Sequence, residues 1–392
     1  MRGPVVRRSD LADEFADLAA MTRDVATEKI GPMIAETEIA ATFNPEIRAV
    51  LATAGLFGLV VPENHGGAAG DVRHQVIVLE ELARVYPSAC TYLTAHWLAT
   101  KLIALNATGP AEAGWVRPLL AGAAEGTALG AIAVTEPDHG SDLGGVVTRA
   151  RRDGDDWVIS GTKRFITNGG FADFYTVLAR TGGPGSRGLS LFMVESDRPG
   201  VRATRWERKM GLHGSATAEM TFDEVRVPAD HLVGEVDRGF RHLMRGFDEG
   251  RLGVAAMCLG IAQGALDAAV EYASVRTQFG REIAGYQGVQ FLVADMAIGV
   301  HTTRSILYDA MNAFVAGDPE ASRLAAVAKT YASDVAMKVA SDAVQVHGGA
   351  GYVTDFPVEM FLRDAKIGQI YEGTNQILRM VIARTYFGDL AR

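Results

Sequence analysis

The chain has 392 residues, 48% of them hydrophobic and 22% charged, with a formal net charge of −9. That length predicts two or three domains, and the composition is that of a folded globular chain rather than a disordered one. The acidic balance excludes the basic footprint of a nucleic-acid partner, and no apolar run approaches the ~18 residues that cross a bilayer, so membrane insertion is not expected. Met1 to Leu11 is polar, with Arg2, Arg7 and Arg8, and lacks a signal-peptide core, so a cytoplasmic location is expected. Cys90 and Cys258 form neither a metal motif nor a disulfide framework and read as small core residues.

From about residue 10 to residue 125 apolar residues recur at helical spacing: Leu11, Phe15, Leu18, Ala19; Ile47, Val50, Leu51; Val76, Leu79, Ala83. A further helix is predicted from about Ser88 to Leu105, with His96 packed on it and His65 solvated in the loop before the third group. Between about 128 and 235 the texture changes to short Val-, Ile-, Phe- and Thr-rich runs broken by Gly and Asp, with Asp153-Gly-Asp-Asp156 as a hairpin turn. From about 240 onward long amphipathic stripes return, favouring a helical bundle. The expected fold is mainly α with a central β domain: an N-terminal helical domain (1–127), a middle antiparallel β domain (128–236) and a C-terminal four-helix bundle (237–392).

Six stretches carry chemistry-bearing residues. Gly183-Pro-Gly-Ser-Arg-Gly188 matches a dinucleotide fingerprint in form, but a strand rather than a helix follows it, so it reads as a surface turn. Thr135-Glu-Pro-Asp-His-Gly-Ser-Asp142 is a tight reversal that either exposes Ser141 and backbone N–H groups to a polar ligand or is an ordinary turn. Lys163-Arg-Phe-Ile-Thr-Asn-Gly-Gly170 ends a strand with features that suit a flat ring edge. Arg276-Thr-Gln-Phe-Gly280 suits a pyrophosphate beside a ring system, and Gln345-Val-His-Gly-Gly349 has more glycine than a helix cap needs. Last, Tyr371-Glu-Gly-Thr374 sets one carboxylate between a ring and a glycine. Such a glutamate is ordinarily solvated, yet partial desolvation there would make it a base near neutral pH.

In their order and spacing the last five of these stretches resemble the acyl-CoA dehydrogenase family, over essentially the whole chain. The resemblance implies one FAD per subunit, with Val134, Thr135, Phe165 and Thr167 at the flavin and Thr374 and Gln376 also on the cofactor. Phe165 stands where members commonly have Trp. Arg276, Gln278, Phe279, Gln345, Gly348 and Gly349 match positions that hold the FAD of a neighbouring subunit, implying a homo-oligomer, a dimer or tetramer. It also implies Glu372 as the base that removes an α-proton from an acyl thioester while the β-hydrogen leaves as hydride, with the Glu372 backbone N–H polarising the carbonyl. Ser141, Asp248, Arg251, Tyr371 and Gly373 resemble thioester-binding positions. Some members carry the base on the helix holding Asp248 and Arg251; here Gly250 occupies that place, although Glu249 stands beside it.

Left open are CoA against acyl carrier protein as the thioester carrier, and electron-transfer flavoprotein against oxygen as the electron acceptor. A monooxygenase and a non-catalytic thioester-binding protein are the remaining rivals. Bulky Tyr92 and Trp97, if they close the acyl pocket, point to short or branched acyl groups, and Asp248 with Arg251 reads locally as a surface ion pair.

Overall fold

The computed structural model describes residues 13–391 apart from residue 110; the readings at Met1 to Leu11 lie outside the described residues. Six helices open the chain: α1 (Asp13–Asp24), α2 (Ile34–Ala40), α3 (Pro45–Thr53), α4 (Val72–Ala83), α5 (Pro87–Asn106) and α6 (Arg117–Glu125). Their starts follow local chemistry. Asn44 caps α3 by accepting from the Glu46 N–H with Pro45 in the first turn, and Asp71 with His74 forms a reciprocal cap on α4. Phe15, Ala19, Val76, Leu79 and Ala83, the residues at helical spacing, are buried.

Eight strands follow: β1 (Gly130–Ala133), β2 (Arg149–Asp153), β3 (Asp156–Thr167), β4 (Phe174–Arg180), β5 (Leu189–Glu195), β6 (Val201–Trp206), β7 (Thr217–Pro228) and β8 (Leu232–Val233). They form one sheet in the order β6-β7-β3-β2-β4-β5-β8, with β1 beside β4. The expected hairpin joins β2 to β3 at Asp153 and Asp156, with Gly154 at φ +63 in its turn. The purely antiparallel expectation is corrected: β1 runs parallel to β4, and β2 meets the end of β4 in the same sense at Arg149 and Arg180. Gly183 to Gly188 lies between β4 and β5, the surface turn expected.

The chain then enters α7 (Gly239–Val275), a two-stranded ribbon of β9 (Thr277–Gln278) and β10 (Arg281–Glu282), α8 (Gln287–Val315), α9 (Ala321–His347), α10 (Val358–Ala365) and α11 (Asn375–Phe387). α9 packs against α7, α8, α10 and α11, while α7 also packs against α4 and α5. The largest core therefore runs without a break from Leu82 and Tyr92 of the N-terminal helices to Leu259, Ala332 and Phe361 of the C-terminal ones. Against expectation, α7 is long and apolar enough to cross a membrane, with a mean hydropathy of 1.5 over its best stretch. But 78% of that stretch is buried within the protein, which makes α7 the central core helix.

Two expectations about single residues change. His65 is buried rather than solvated, its Nε2 3.3 Å from a Glu112 carboxyl oxygen. Tyr92 and Trp97 do not close a pocket: both are fully packed, and their polar tips are occupied. The Tyr92 hydroxyl donates to the Gly214 carbonyl at 2.8 Å and accepts from the Asn44 N–H at 2.8 Å, with its ring stacked on Phe43; the Trp97 Nε1–H donates to the Leu56 carbonyl at 2.9 Å. Tyr92→Phe strands a buried donor and a buried acceptor, so it is expected to cost about 1–3 kcal/mol in denaturant unfolding while leaving acyl chain-length preference unchanged.

Candidate active site

Glu372 sits in the link between α10 and α11. It is the only bulky charged side chain among the described residues 370–375, and its backbone is left-handed at φ +53, followed by Gly373 at φ +92. A non-glycine residue in that region is strained, so the surroundings must hold it there. They do so from α9. The fully buried Lys329 Nζ donates to the Gly373 carbonyl at 2.7 Å and to the Asn375 side-chain oxygen at 3.1 Å. The Asn375 amide in turn donates to Ser333 Oγ and Asp334, each at 2.9 Å. Gln369 donates to Asp334 at 2.7 Å on the other side of the loop. Thr374 caps α11 by accepting from the Ile377 N–H, and the Tyr371 hydroxyl donates to Met257 Sδ at 3.4 Å.

This loop brings the Glu372 carboxyl against α7. A Cβ added at Gly250 would lie 3.1 Å from Glu372 Oε2, so a bare helix position is what admits the carboxyl. Glu372 Oε2 is buried and has no hydrogen-bond partner among the described residues, and the same holds for Arg251 Nε. Burial pushes the Glu372 carboxyl up to about 7, with the Arg251 and Lys329 charges pulling in the opposite direction. Arg251 itself is only 8% exposed and pairs with Asp248, which also accepts from Ser322 Oγ at 3.0 Å; this is a part-buried pair, not the surface pair expected. Glu249 is committed elsewhere, accepting from both Lys101 on α5 and Gln75 on α4. Glu372, Tyr371, Gly373, Asp248 and Arg251 are thus gathered on the α7–α9 side of the molecule.

The β-domain stretches meet one another. The Arg164 N–H donates to the Thr135 carbonyl at 2.8 Å, and the buried Lys163 Nζ donates to the Val134 carbonyl and to Glu136, each at 2.9 Å. Glu136 also accepts from the Val147 and Thr148 N–H groups at 2.8 Å each. Burial disfavours its charge, but these donors win and hold its carboxyl below the usual value. Val134 and Thr135 are therefore fixed beside the end of β3, where the pairing with β7 slips between Lys163 and Ile166. The slip is a bulge, and within it Phe165 adopts φ +58 and turns its ring outward, 55% exposed under the Arg164 guanidinium. Ser141 is exposed on the turn beyond Glu136.

The remaining predicted residues stand on the surface rather than in the cluster around Glu372. Arg276, Gln278 and Phe279 are exposed around the β9–β10 ribbon, Phe279 at 94%; Gln345, Gly348 and Gly349 are exposed where α9 ends; Gln376 is exposed in the first turn of α11 and Thr374 is half-buried at its N-cap. A flat ring system fits the exposed Phe165 beside Val134 and Thr135, and a phosphate-bearing chain fits the exposed Arg276 with the open backbone of Gly348 and Gly349. Lys329, Asn375, Glu136 and Lys163 escaped the sequence reading. The available signal for Lys329 was a lone lysine inside the alanine-rich buried stripe of α9, among Ala325, Ala328 and Ala332.

The chain matches the acyl-CoA dehydrogenase N-terminal domain over residues 12–123, the middle domain over 131–225 and the C-terminal domain over 237–387. It is 40% identical over 380 residues to an acyl-CoA dehydrogenase of Bacillus subtilis, covering 96% of this chain and 99% of that one. It is 40% identical over 381 residues to cyclohexane-1-carbonyl-CoA dehydrogenase of Geobacter metallireducens, covering 97% and 99%. Among solved structures, butyryl-CoA dehydrogenase from Megasphaera elsdenii superposes with a TM-score of 0.92 at 38% identity, covering 97% of this chain and 100% of that one. With three domain matches in order and near-complete coverage, the chain belongs to the acyl-CoA dehydrogenase family of FAD-dependent oxidoreductases.

Proposed function

We propose that the protein converts an acyl-CoA thioester into its trans-2-enoyl thioester, with Glu372 as the base. The observation that carries this reading is the buried, unpartnered Glu372 Oε2 against Gly250, on a carboxyl raised to about 7. A base is most effective when its pKa lies near the working pH, and an oxygen with no internal partner is available to an incoming C–H. Glu372 takes the α-proton onto its carboxylate; the electron pair of that C–H bond forms the new double bond as the β-hydrogen departs with its own pair. The backbone N–H of Glu372 donates to the thioester carbonyl and stabilises the charge that develops there. Arg251, with its free Nε, and Asp248 hold the thioester arm, with Tyr371, Gly373 and Ser141 along its course.

FAD supplies the two-electron acceptor for the β-hydrogen. Val134, Thr135, Phe165 and Thr167 would hold its ring, with Thr374 and Gln376 also touching it. Arg276, Gln278, Phe279, Gln345, Gly348 and Gly349 would hold the cofactor of a neighbouring copy, which is why they stand exposed on a single chain. We accordingly place the protein in a homo-oligomer, with the domain limits 1–127, 128–236 and 237–392, a cytoplasmic location and electron-transfer flavoprotein as the acceptor. Short or branched acyl groups are supported by the butyryl and cyclohexane-carbonyl relatives, and no longer by Tyr92 and Trp97.

Glu372→Gln, loaded with FAD, is expected to keep its yellow colour and to lose the rate of anaerobic bleaching by butyryl-CoA or cyclohexane-carbonyl-CoA by about 10²–10⁴-fold; a near-normal rate rejects the base. The same variant tests the raised pKa without any substrate. A carboxyl titrating at about 4.5 when unfolded and about 7 when folded binds its proton more tightly in the native state, so its contribution to stability is present at low pH and is lost as pH rises through that window. Thermal unfolding of Glu372→Gln should therefore match the wild type below that window and exceed it above.

A further inference from the structure

We propose that Lys329 is the positioning residue of the base: its ammonium clamps the Gly373 carbonyl and the Asn375 side chain, holding Glu372 in the left-handed backbone that aims its carboxyl at Gly250, and its charge favours the carboxylate form. The proposal rests on Glu372 being the base.

Three observations converge. First, Lys329 is fully buried, and its donors go to the loop around Glu372, not to a carboxylate: Gly373 O at 2.7 Å and Asn375 Oδ1 at 3.1 Å. Burying an ammonium without a carboxylate directly on it is costly, so a purely structural site would do better with an apolar side chain of the same length. Second, the contact falls on the carbonyl next to a strained residue. Without it, the pair Glu372 and Gly373 has no other side-chain hydrogen bond among the described residues, because Asn375 and Gln369 tie only the flanks. Third, the charges around the base are few. Glu372 is faced by Arg251 from α7 and Lys329 from α9; Lys329 is faced by Glu372, by Arg251 and Cys258 from α7 and by Asp334 on its own helix. Arg251 acts on Glu372 more strongly than Lys329 but is paired with Asp248, whereas Lys329 bonds directly to neutral acceptors, with Asp334 facing it without a direct bond. Burial pushes Lys329 down to about 8, opposed by the charges of Glu372 and Asp334.

Lys329→Met removes both the clamp and the charge at similar length; Lys329→Gln keeps a donor for the Gly373 carbonyl and removes only the charge. Both are prepared with FAD bound. Hydrogen exchange of residues 370–378, measured without substrate, is expected to rise about tenfold or more in Lys329→Met and to stay near the wild type in Lys329→Gln. In anaerobic flavin reduction by butyryl-CoA, the acid limb of the pH profile is expected to move up by about one pH unit in both variants, since each loses the charge that favours the carboxylate. The rate on the plateau is expected to fall about tenfold or more in Lys329→Met alone. Wild-type exchange and a wild-type acid limb in Lys329→Met overturn the proposal. If that variant does not accumulate, an unshifted limb in Lys329→Gln overturns it instead. A Glu372→Gln enzyme that still turns over defeats the base assignment separately, because the exchange measurement reads the clamp with no chemistry involved.

Discussion

A carboxyl with no partner of its own is the constraint from which the rest of this structure follows. Glu372 Oε2 is buried and unbonded, and that state is unfavourable in isolation. It persists because the elements on either side do not yield: α7 presents Gly250 with no side chain to displace the carboxyl, and α9 grips the loop behind it through Lys329 and Asn375. Both helices are themselves fixed by the largest core, which α4 and α5 complete from the other end of the chain. The N-terminal helices thus do more than cover the bundle. They pack directly on α7, the helix that carries Gly250.

The surroundings of Glu372 and of Phe165 use the same device. At Glu372 and at Phe165 the backbone turns left-handed at a non-glycine residue, and a wholly buried lysine lies close by in each case: Lys329 on the Gly373 carbonyl, Lys163 on the Val134 carbonyl. Lysine suits this work because its long apolar stem packs in the core while a compact ammonium reaches one carbonyl. The two differ in partner. Lys163 meets Glu136 as well, a carboxylate held below its usual range, so that pair is a closed structural tie. Lys329 meets only neutral acceptors directly, and its charge is left to act on Glu372.

Residues expected at the cofactor on sequence grounds divide into two groups in space. Val134, Thr135 and Phe165 are locked together by strand pairing and a bulge, whereas Arg276, Gln278, Phe279, Gln345, Gly348 and Gly349 face outward. Phe279 at 94% exposed is a large ring with nothing of its own chain to cover it fully, and exposed aromatic surface beside an arginine is the texture of a binding face. A single chain therefore carries the chemistry on its inside and an apolar, basic edge on its outside.

Much of this was legible in the residues alone. Local periodicity placed α1, α3, α4, α5, α7, α8 and α9 because an amphipathic stripe is a one-dimensional signal, and the motif order pointed to Glu372, Thr135 and Phe165. What could not be read was set by contacts between distant residues. The parallel pairing of β1 with β4 joins residues 130 and 174, and nothing in either segment announces its partner. Tyr92 and Trp97 were misdirected because α5 is buried on nearly every side, so its apolar pattern has no period to say which face looks toward α7. Lys329 lies 44 residues from the carbonyl it holds. By itself the sequence determined which elements form and which carboxylate to single out, since propensity, periodicity and motif spacing are local. Only the tertiary structure decided that Gly250 gives that carboxylate its room and that Lys329 steadies it, because burial and an unpartnered oxygen come into being only when α7 and α9 close around the loop.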